Sequence, residues 1–126
     1  MRIGELARLA DVTTRTLRHY DELGLLTGRR GANGYRVYDD ADLRTVREIR
    51  MLVGLGFALE DTRPFVECLR AGHERAASCP DSLAVLRRRI AEVDDSVDRL
   101  QEVRGELARQ LGEASRARCE FSGIDP

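Results

Sequence analysis

Apolar residues open the chain at Ile3, Leu6, Leu9 and Ala10, the i, i+3, i+4, i+7 stripe of a helix with one wet face. A tight turn at Ala10-Asp11-Val12 follows, with Val12 as its apolar pin. Thr13 or Thr14 then caps a second short helix, and Leu17 turns to the core with Tyr20 or Asp21 one turn later. The two helices occupy residues 2–23. The spacing then shortens. Tyr35, Val37 and Tyr38 are strand formers beside Asn33-Gly34, a pair suited to a primed turn with both residues at positive φ, so residues 28–38 are expected to form a hairpin. Helical spacing returns over 40–54, capped by Asp39 or Asp40, with Leu43, Val46, Ile49 and Leu52 or Val53 inward. Gly54-Leu55-Gly56-Phe57 ends it. A fourth helix is expected over 59–71 on Leu59, Phe65, Val66 and Leu69, with Pro64 inside its first turns, and Ala71–Ser78 reads as a loop.

The second half of the chain carries a different pattern. Leu83, Leu86, Ile90, Val93, Val97, Leu100, Leu107 and Leu111 alternate at spacings of three and four, with Arg104 at one position of the stripe. One long helix over 80–112 is predicted, charged on its other faces. So narrow a stripe on so long a helix cannot bury itself in a small domain and needs a partner helix, most simply its own copy. The alternative is a monomer that folds this helix back on its own core. The division is then a domain over 1–71, a linker loop over 72–79, a dimerisation helix over 80–112 and a tail over 113–126 that is a candidate effector segment.

Charge refines this picture. The 126 residues carry a net charge of −1, which by itself selects no partner. Its distribution is more telling. Residues 1–58 hold ten Arg against eight acids, and residues 59–126 hold eleven against fourteen, so the first half is the nucleic-acid face. Every basic residue other than histidine is Arg, which suits bidentate contacts to phosphate and guanine. Arg15 and Arg18 lie three apart on one face of the second helix, where a major-groove helix presents side chains to base edges. Thr13, Thr14 and Thr16 offer hydroxyls, and His19 and Tyr20 lie on the same helix as candidate phosphate or packing contacts. Arg29, Arg30, Tyr35, Arg36 and Tyr38 place a basic, aromatic ribbon beside it, suited to tracking the DNA backbone. The competing readings are a solvated arginine face and a solvated glycine-rich loop. The loop has none of the Lys-Ser/Thr ending of a nucleotide-binding loop.

At this point Ile3-Gly4-Glu5-Leu6-Ala7, Thr16-Leu17-Arg18-His19-Tyr20-Asp21-Glu22-Leu23-Gly24-Leu25-Leu26, Gly34-Tyr35-Arg36-Val37-Tyr38 with Asp42-Leu43, and Ile49 to Asp61 resemble the MerR (mercury-resistance regulator) family. The likeness covers about the first seventy residues closely. It implies a mainly α fold: a winged helix-turn-helix followed by an antiparallel coiled coil, with Phe57 packing inward in a second wing. It further implies a homodimer on a palindromic promoter, where an effector distorts an over-long spacer so that RNA polymerase engages both elements. An apolar run long enough to span a membrane is absent, as is a signal-peptide pattern, and the chain is expected in the cytoplasm. Two His and no nucleophile–base pair argue against an enzyme.

Three cysteines in such a compartment are expected as thiols rather than structural disulfides. Cys68, His73 and Cys79 lie between the fourth helix and the long one, and Cys119 near the C-terminus. The resemblance implies that a cysteine at the position of Cys79 binds metal together with cysteines of the other subunit's C-terminal loop. This tail has one cysteine instead of a cluster, which weakens the parallel. Three readings stay open. Cys79 with the partner's Cys119 would suit Cu(I), since two thiolates suffice. Cys68, His73 and Cys79, with or without Cys119, would suit Zn. Cys79 at a helix start would suit redox or electrophile sensing. Against all three stands a buried Cys68 with no ligand. Two other function classes remain: a metal- or thiol-handling protein without operator binding, and an architectural DNA binder without effector.

Overall fold

The computed structural model describes the backbone of residues 1–124 and the side chains of residues 1–117. It divides into two compact units, Met1–Leu86 and Arg87–Pro126.

The first unit opens with α1 (Ile3–Ala10) and α2 (Thr14–Glu22). Asp11 ends α1 at φ 55°, and its backbone N–H reaches the carbonyls of Ala7 and Arg8. This left-handed residue makes the sharp turn, a conformation that aspartate tolerates better than most side chains. Thr13 is the N-cap of α2, its hydroxyl accepting from the Thr16 N–H at 3.1 Å. Leu6, Ala7, Leu17 and Tyr20 are buried. Leu9, expected inside, is on the surface: the inward stripe of α1 runs through Leu6 and Ala7, and Leu9 lies off it.

Two short strands, β1 (Arg29–Arg30) and β2 (Arg36–Val37), pair antiparallel with Arg29 opposite Val37 and Arg30 opposite Arg36. The turn is not the expected two-residue one. Gly31 N–H donates to Tyr35 O at 2.7 Å and Gly34 N–H to Gly31 O at 3.0 Å, leaving a three-residue loop. Within it only Gly34 takes positive φ, at 77°, and Asn33 does not. This is a type I turn closed by a left-handed glycine. The core fixes the register, because a slip by one residue would expose Tyr38, which is buried. Gly28 lies under its ring, where an added Cβ would fall 2.5 Å from a ring carbon, so any side chain there must displace the buried ring.

Helix α3 (Asp40–Gly54) starts from a reciprocal capping box between Asp39 and Asp42 and buries Thr45, Val46, Ile49 and Leu52, while Val53 is exposed. The segment expected as one helix over 59–71 is two pieces: a 3₁₀ turn at Leu59–Thr62, then α4 (Arg63–Arg70). Pro64 stands in the first turn of α4, where its missing N–H has no intrahelical partner to lose, so it sets the start of α4 instead of interrupting a longer helix. Phe57 packs edge-on to Phe65, with ring centroids 5.6 Å apart, in a cluster with Leu52 and Ala76.

Helix α5 (Pro80–Ile124) runs past the expected end near residue 112. Gly112 does not interrupt it: Arg109 pairs across this position with Glu113 at 2.5 Å. The tail through Ile124 is therefore helix, not loop. From Ile90 to Leu111 the stripe is exposed, with Leu100 at 66% and Leu111 at 69%.

Candidate nucleic-acid interface and cysteine cluster

Helix α2 turns Leu17 and Tyr20 inward, and this leaves Arg15, Arg18 and His19 exposed on the opposite side. His19 stands 4.0 Å from Glu22. Arg15 and Arg18 engage no hydrogen-bond or ion-pair partner among the described residues. Most other arginines of this unit are occupied. Arg63 donates to Leu23 O, Arg70 to Gly24 O at 3.0 Å, Arg47 to Leu9 O at 3.5 Å and Arg44 to Glu74 O. Arg63 and Arg70 thus tie the end of α2 to α4, placing positive charge where helix carbonyls are unpaired. Sequence reasoning misses this pair, because contacts forty or more residues apart leave no local pattern.

The wing is joined to α2 through Asp21. Its Oδ2 accepts from the Tyr38 hydroxyl at 3.0 Å and lies 3.2 Å from Arg36 Nε. Arg36 also donates to Gly28 O at 2.9 Å. Burial, then the hydrogen bond and negative charge of Asp21, push the Tyr38 phenol up to about 12. Burial raises the Tyr20 phenol as well, against the nearby Arg50. The structure thus places both tyrosines, candidate phosphate contacts from the sequence, in the core, and for Tyr20 this agrees with the inward position that the helical spacing also offered it. The alternation of the strand that exposes Tyr35 turns Tyr38 inward. Arg36 is half committed to Asp21 and works first as a strut between wing and helix.

Tyr35 stays exposed and carries the Arg2 guanidinium 4.5 Å above its ring. Nothing in the local sequence singles out Arg2, since its partner lies thirty-three residues on. Arg2, Ile3, Arg18, Asp21, Glu22, Tyr35, Arg36 and Tyr38 line one hollow of about 410 Å³ between α2 and the wing. Arg29 and Arg30 are exposed on β1, and Arg30 reaches Gly34 O at 3.4 Å. The Thr13 and Thr16 hydroxyls are 2.9 Å apart and engaged in the cap, while Thr14 heads the helix beside them.

The cysteines cluster separately. Cys68, buried on α4, and Cys79, immediately before α5, are joined in a disulfide with Cα atoms 5.9 Å apart. This overturns the expectation of free thiols. Composition says nothing of proximity, and the loop after α4 folds back and brings the two sulfurs together. The exposed His73 ring joins them, with the three ligand atoms all within 4.8 Å of one another. The Cys119 side chain lies outside the described residues.

Residues 1–67 match the family described as MerR HTH family regulatory protein, and residues 43–110 the one described as MerR, DNA binding. The chain is 34% identical to the HTH-type transcriptional regulator ZntR of Escherichia coli (strain K12), over 86% of this chain and 76% of that protein. Its fold is similar to that of the transcription regulator PbrR691 from Ralstonia metallidurans CH34, solved in complex with lead(II): TM-score 0.67, 32% identity, 85% of this chain and 82% of that one. It is similar also to HiNmlR, a regulator lacking the sensor domain and bound to promoter DNA: TM-score 0.58, 25% identity, 81% of this chain and 76% of that one. Two family matches that together span residues 1–110, with relatives aligned over most of their length, show that the chain belongs to the MerR family of DNA-binding transcriptional regulators.

Proposed function

We propose that the chain acts as a homodimer on a palindromic promoter site and, in response to an effector, distorts the spacer so that RNA polymerase engages both promoter elements. The observation that carries this reading is the pair Arg15 and Arg18. They are exposed on one face of α2 and without a hydrogen-bond or ion-pair partner among the described residues, whereas Arg36, Arg44, Arg47, Arg63 and Arg70 of the same unit are tied to carbonyls or carboxylates. In this reading Arg15 and Arg18 meet bases. Thr14, His19, Arg29, Arg30 and Tyr35 meet phosphates, while Thr13, Thr16, Arg36, Tyr20 and Tyr38 hold the reading surface in place. HiNmlR, bound to promoter DNA, supports the docking surface, and PbrR691, bound to lead(II), supports an ion or thiol-reactive signal as effector. The exposed stripe of α5 supports the homodimer. A two-fold dimer requires a palindromic site.

The test is binding to a selected operator and to scrambled DNA across a salt series. Arg18→Ala should cost about 1–3 kcal/mol on the operator and flatten base preference at one position in each half-site. Arg29→Ala should weaken both DNAs equally and lower the salt slope by about one. Equal losses on both DNAs for Arg18→Ala would remove its base-reading role.

A further inference from the structure

We infer that Cys68, His73 and Cys79 form, within a single protomer, a site for a borderline divalent cation of the zinc class, which the Cys68–Cys79 disulfide closes. Two thiolates and one imidazole suit Zn²⁺, and three protein ligands leave a fourth position open to water. A tetrahedral ion with Zn–S of about 2.3 Å and Zn–N of about 2.0 Å holds its donors a little under 4 Å apart. The three ligand atoms lie within 4.8 Å of one another, close enough for side-chain rotation to complete the site once the sulfur–sulfur bond opens.

The backbone prepares this convergence. His73 N–H turns back to Cys68 O at 3.4 Å just beyond α4, and Cys79 O accepts the Leu83 N–H at 3.0 Å as α5 begins. One ligand thus sits on α4, one on the returning loop and one at the head of α5. The ligands grade from buried Cys68 through half-buried Cys79 to exposed His73, so an ion enters from the His73 side. The Ser78 hydroxyl lies 3.5 Å from the Cys68 sulfur and donates its proton to Arg75 O at 2.8 Å, so it supports a Cys68 thiolate only after turning that proton from the carbonyl to the sulfur. The requirement for imidazole separates this site from a two-thiolate Cu(I) site, and the use of one chain separates it from a site shared with the partner's Cys119.

Loading requires the dithiol. A dithiol reductant of the thioredoxin class supplies two electrons and closes into its own disulfide. Its two protons pass to the Cys68 and Cys79 sulfurs. The entering ion then displaces those protons to solvent. The cation is thus admitted only in the reduced protein. The site stands on its side chains alone, whereas its role as the effector site rests on the regulator reading above.

The test uses the full chain, reduced with dithiothreitol, desalted without oxygen and titrated with Co²⁺. We expect thiolate-to-cobalt charge transfer with tetrahedral ligand-field bands, saturating at one ion per protomer and displaced by Zn²⁺. The oxidised protein should bind none until reduced. Cys79→Ser should abolish the charge transfer with helix content retained. His73→Ala should weaken binding by at least about tenfold. Cys119→Ser should change nothing. Cys68→Ser is the companion variant, interpretable only if it folds, so Cys79→Ser and His73→Ala are the deciding substitutions. No charge transfer in the reduced chain, an unaffected His73→Ala, or one ion per dimer lost in Cys119→Ser would overturn the site. The same samples are then tested on the operator. Ion binding without any operator binding would remove the regulator reading and leave the site. Operator binding that ignores a bound ion would remove only its effector role.

Discussion

Asp21 is the point where α2 and the wing are joined, and Asp21→Ala tests that join. Two interactions are lost. The pair with Arg36 is half-exposed on the arginine side, at 44%, and on that ground contributes only about 0.5–1 kcal/mol. The Tyr38 hydroxyl weighs more. Tyr38 is 2% exposed, and stranding its O–H away from water costs about 1–3 kcal/mol. Asp21→Ala should therefore cost about 1.5–4 kcal/mol in all. Tyr38→Phe removes the same hydrogen bond but leaves Asp21 with Arg36, and should cost about 0.5–1.5 kcal/mol. In the double variant no hydroxyl is left to strand. Its cost should fall short of the sum of the singles by about 1 kcal/mol. The assay is urea unfolding followed by far-UV circular dichroism, at one fixed protein concentration because an assembling chain's stability depends on it. Strictly additive costs, or an Asp21→Ala cost below about 0.5 kcal/mol, would refute the argument that a buried hydroxyl fastens the wing.

Two further predictions concern ionisation and assembly. The Tyr38 phenol is raised from 10.0 to about 12, so its contribution is fully present below pH 10 and is lost as pH rises towards 12, by up to about 2–3 kcal/mol. Thermal melts across that window should show the loss, shallower in Tyr38→Phe and with a remainder from Tyr20. A Tyr38→Phe curve parallel to the wild type would discard the assignment. The double substitution Leu100→Glu with Leu107→Glu places charge in the exposed α5 stripe and should weaken self-association by at least about a hundredfold in sedimentation equilibrium, since each lost leucine removes about 1.5–3 kcal/mol of burial. Unchanged association would place the dimer contact elsewhere.

How much of this can be read from the sequence depends on the range of the interactions. Helices α1 to α3 announce themselves by periodicity and caps, and the Thr13 and Asp39 caps lie where hydroxyl or carboxylate precedes an apolar stripe. The wing is legible as a hairpin but not in its turn, because the register is set by Tyr38 reaching the core and not by Asn33-Gly34 alone. The same burial separates Tyr20 and Tyr38 from Tyr35, a distinction that residue type cannot make. The end of α5 is hard to place because one glycine in a run of good helix formers costs only about 1 kcal/mol, which neighbouring ion pairs help to offset. Arg15 and Arg18 stand out because the helical period that turns Leu17 and Tyr20 inward sets both on the outer face. The Arg63 and Arg70 clamps and the Cys68–Cys79 bridge stay hidden because their partners come from distant or reversing segments.

Helix α2 is nine residues long, shorter than the roughly 12–15 residues at which an isolated helix persists in water. Its existence is lent to it by Leu17, Tyr20 and the carbonyl clamps behind it. Amide hydrogen exchange in α2 should therefore follow opening of the surrounding core and not fraying of the helix by itself. An operator that binds only the ordered helix then acts as a folding ligand, and saturating DNA should slow exchange at core positions that never touch it. For this protein, sequence recognition and the stability of residues far from the DNA are readings of one equilibrium.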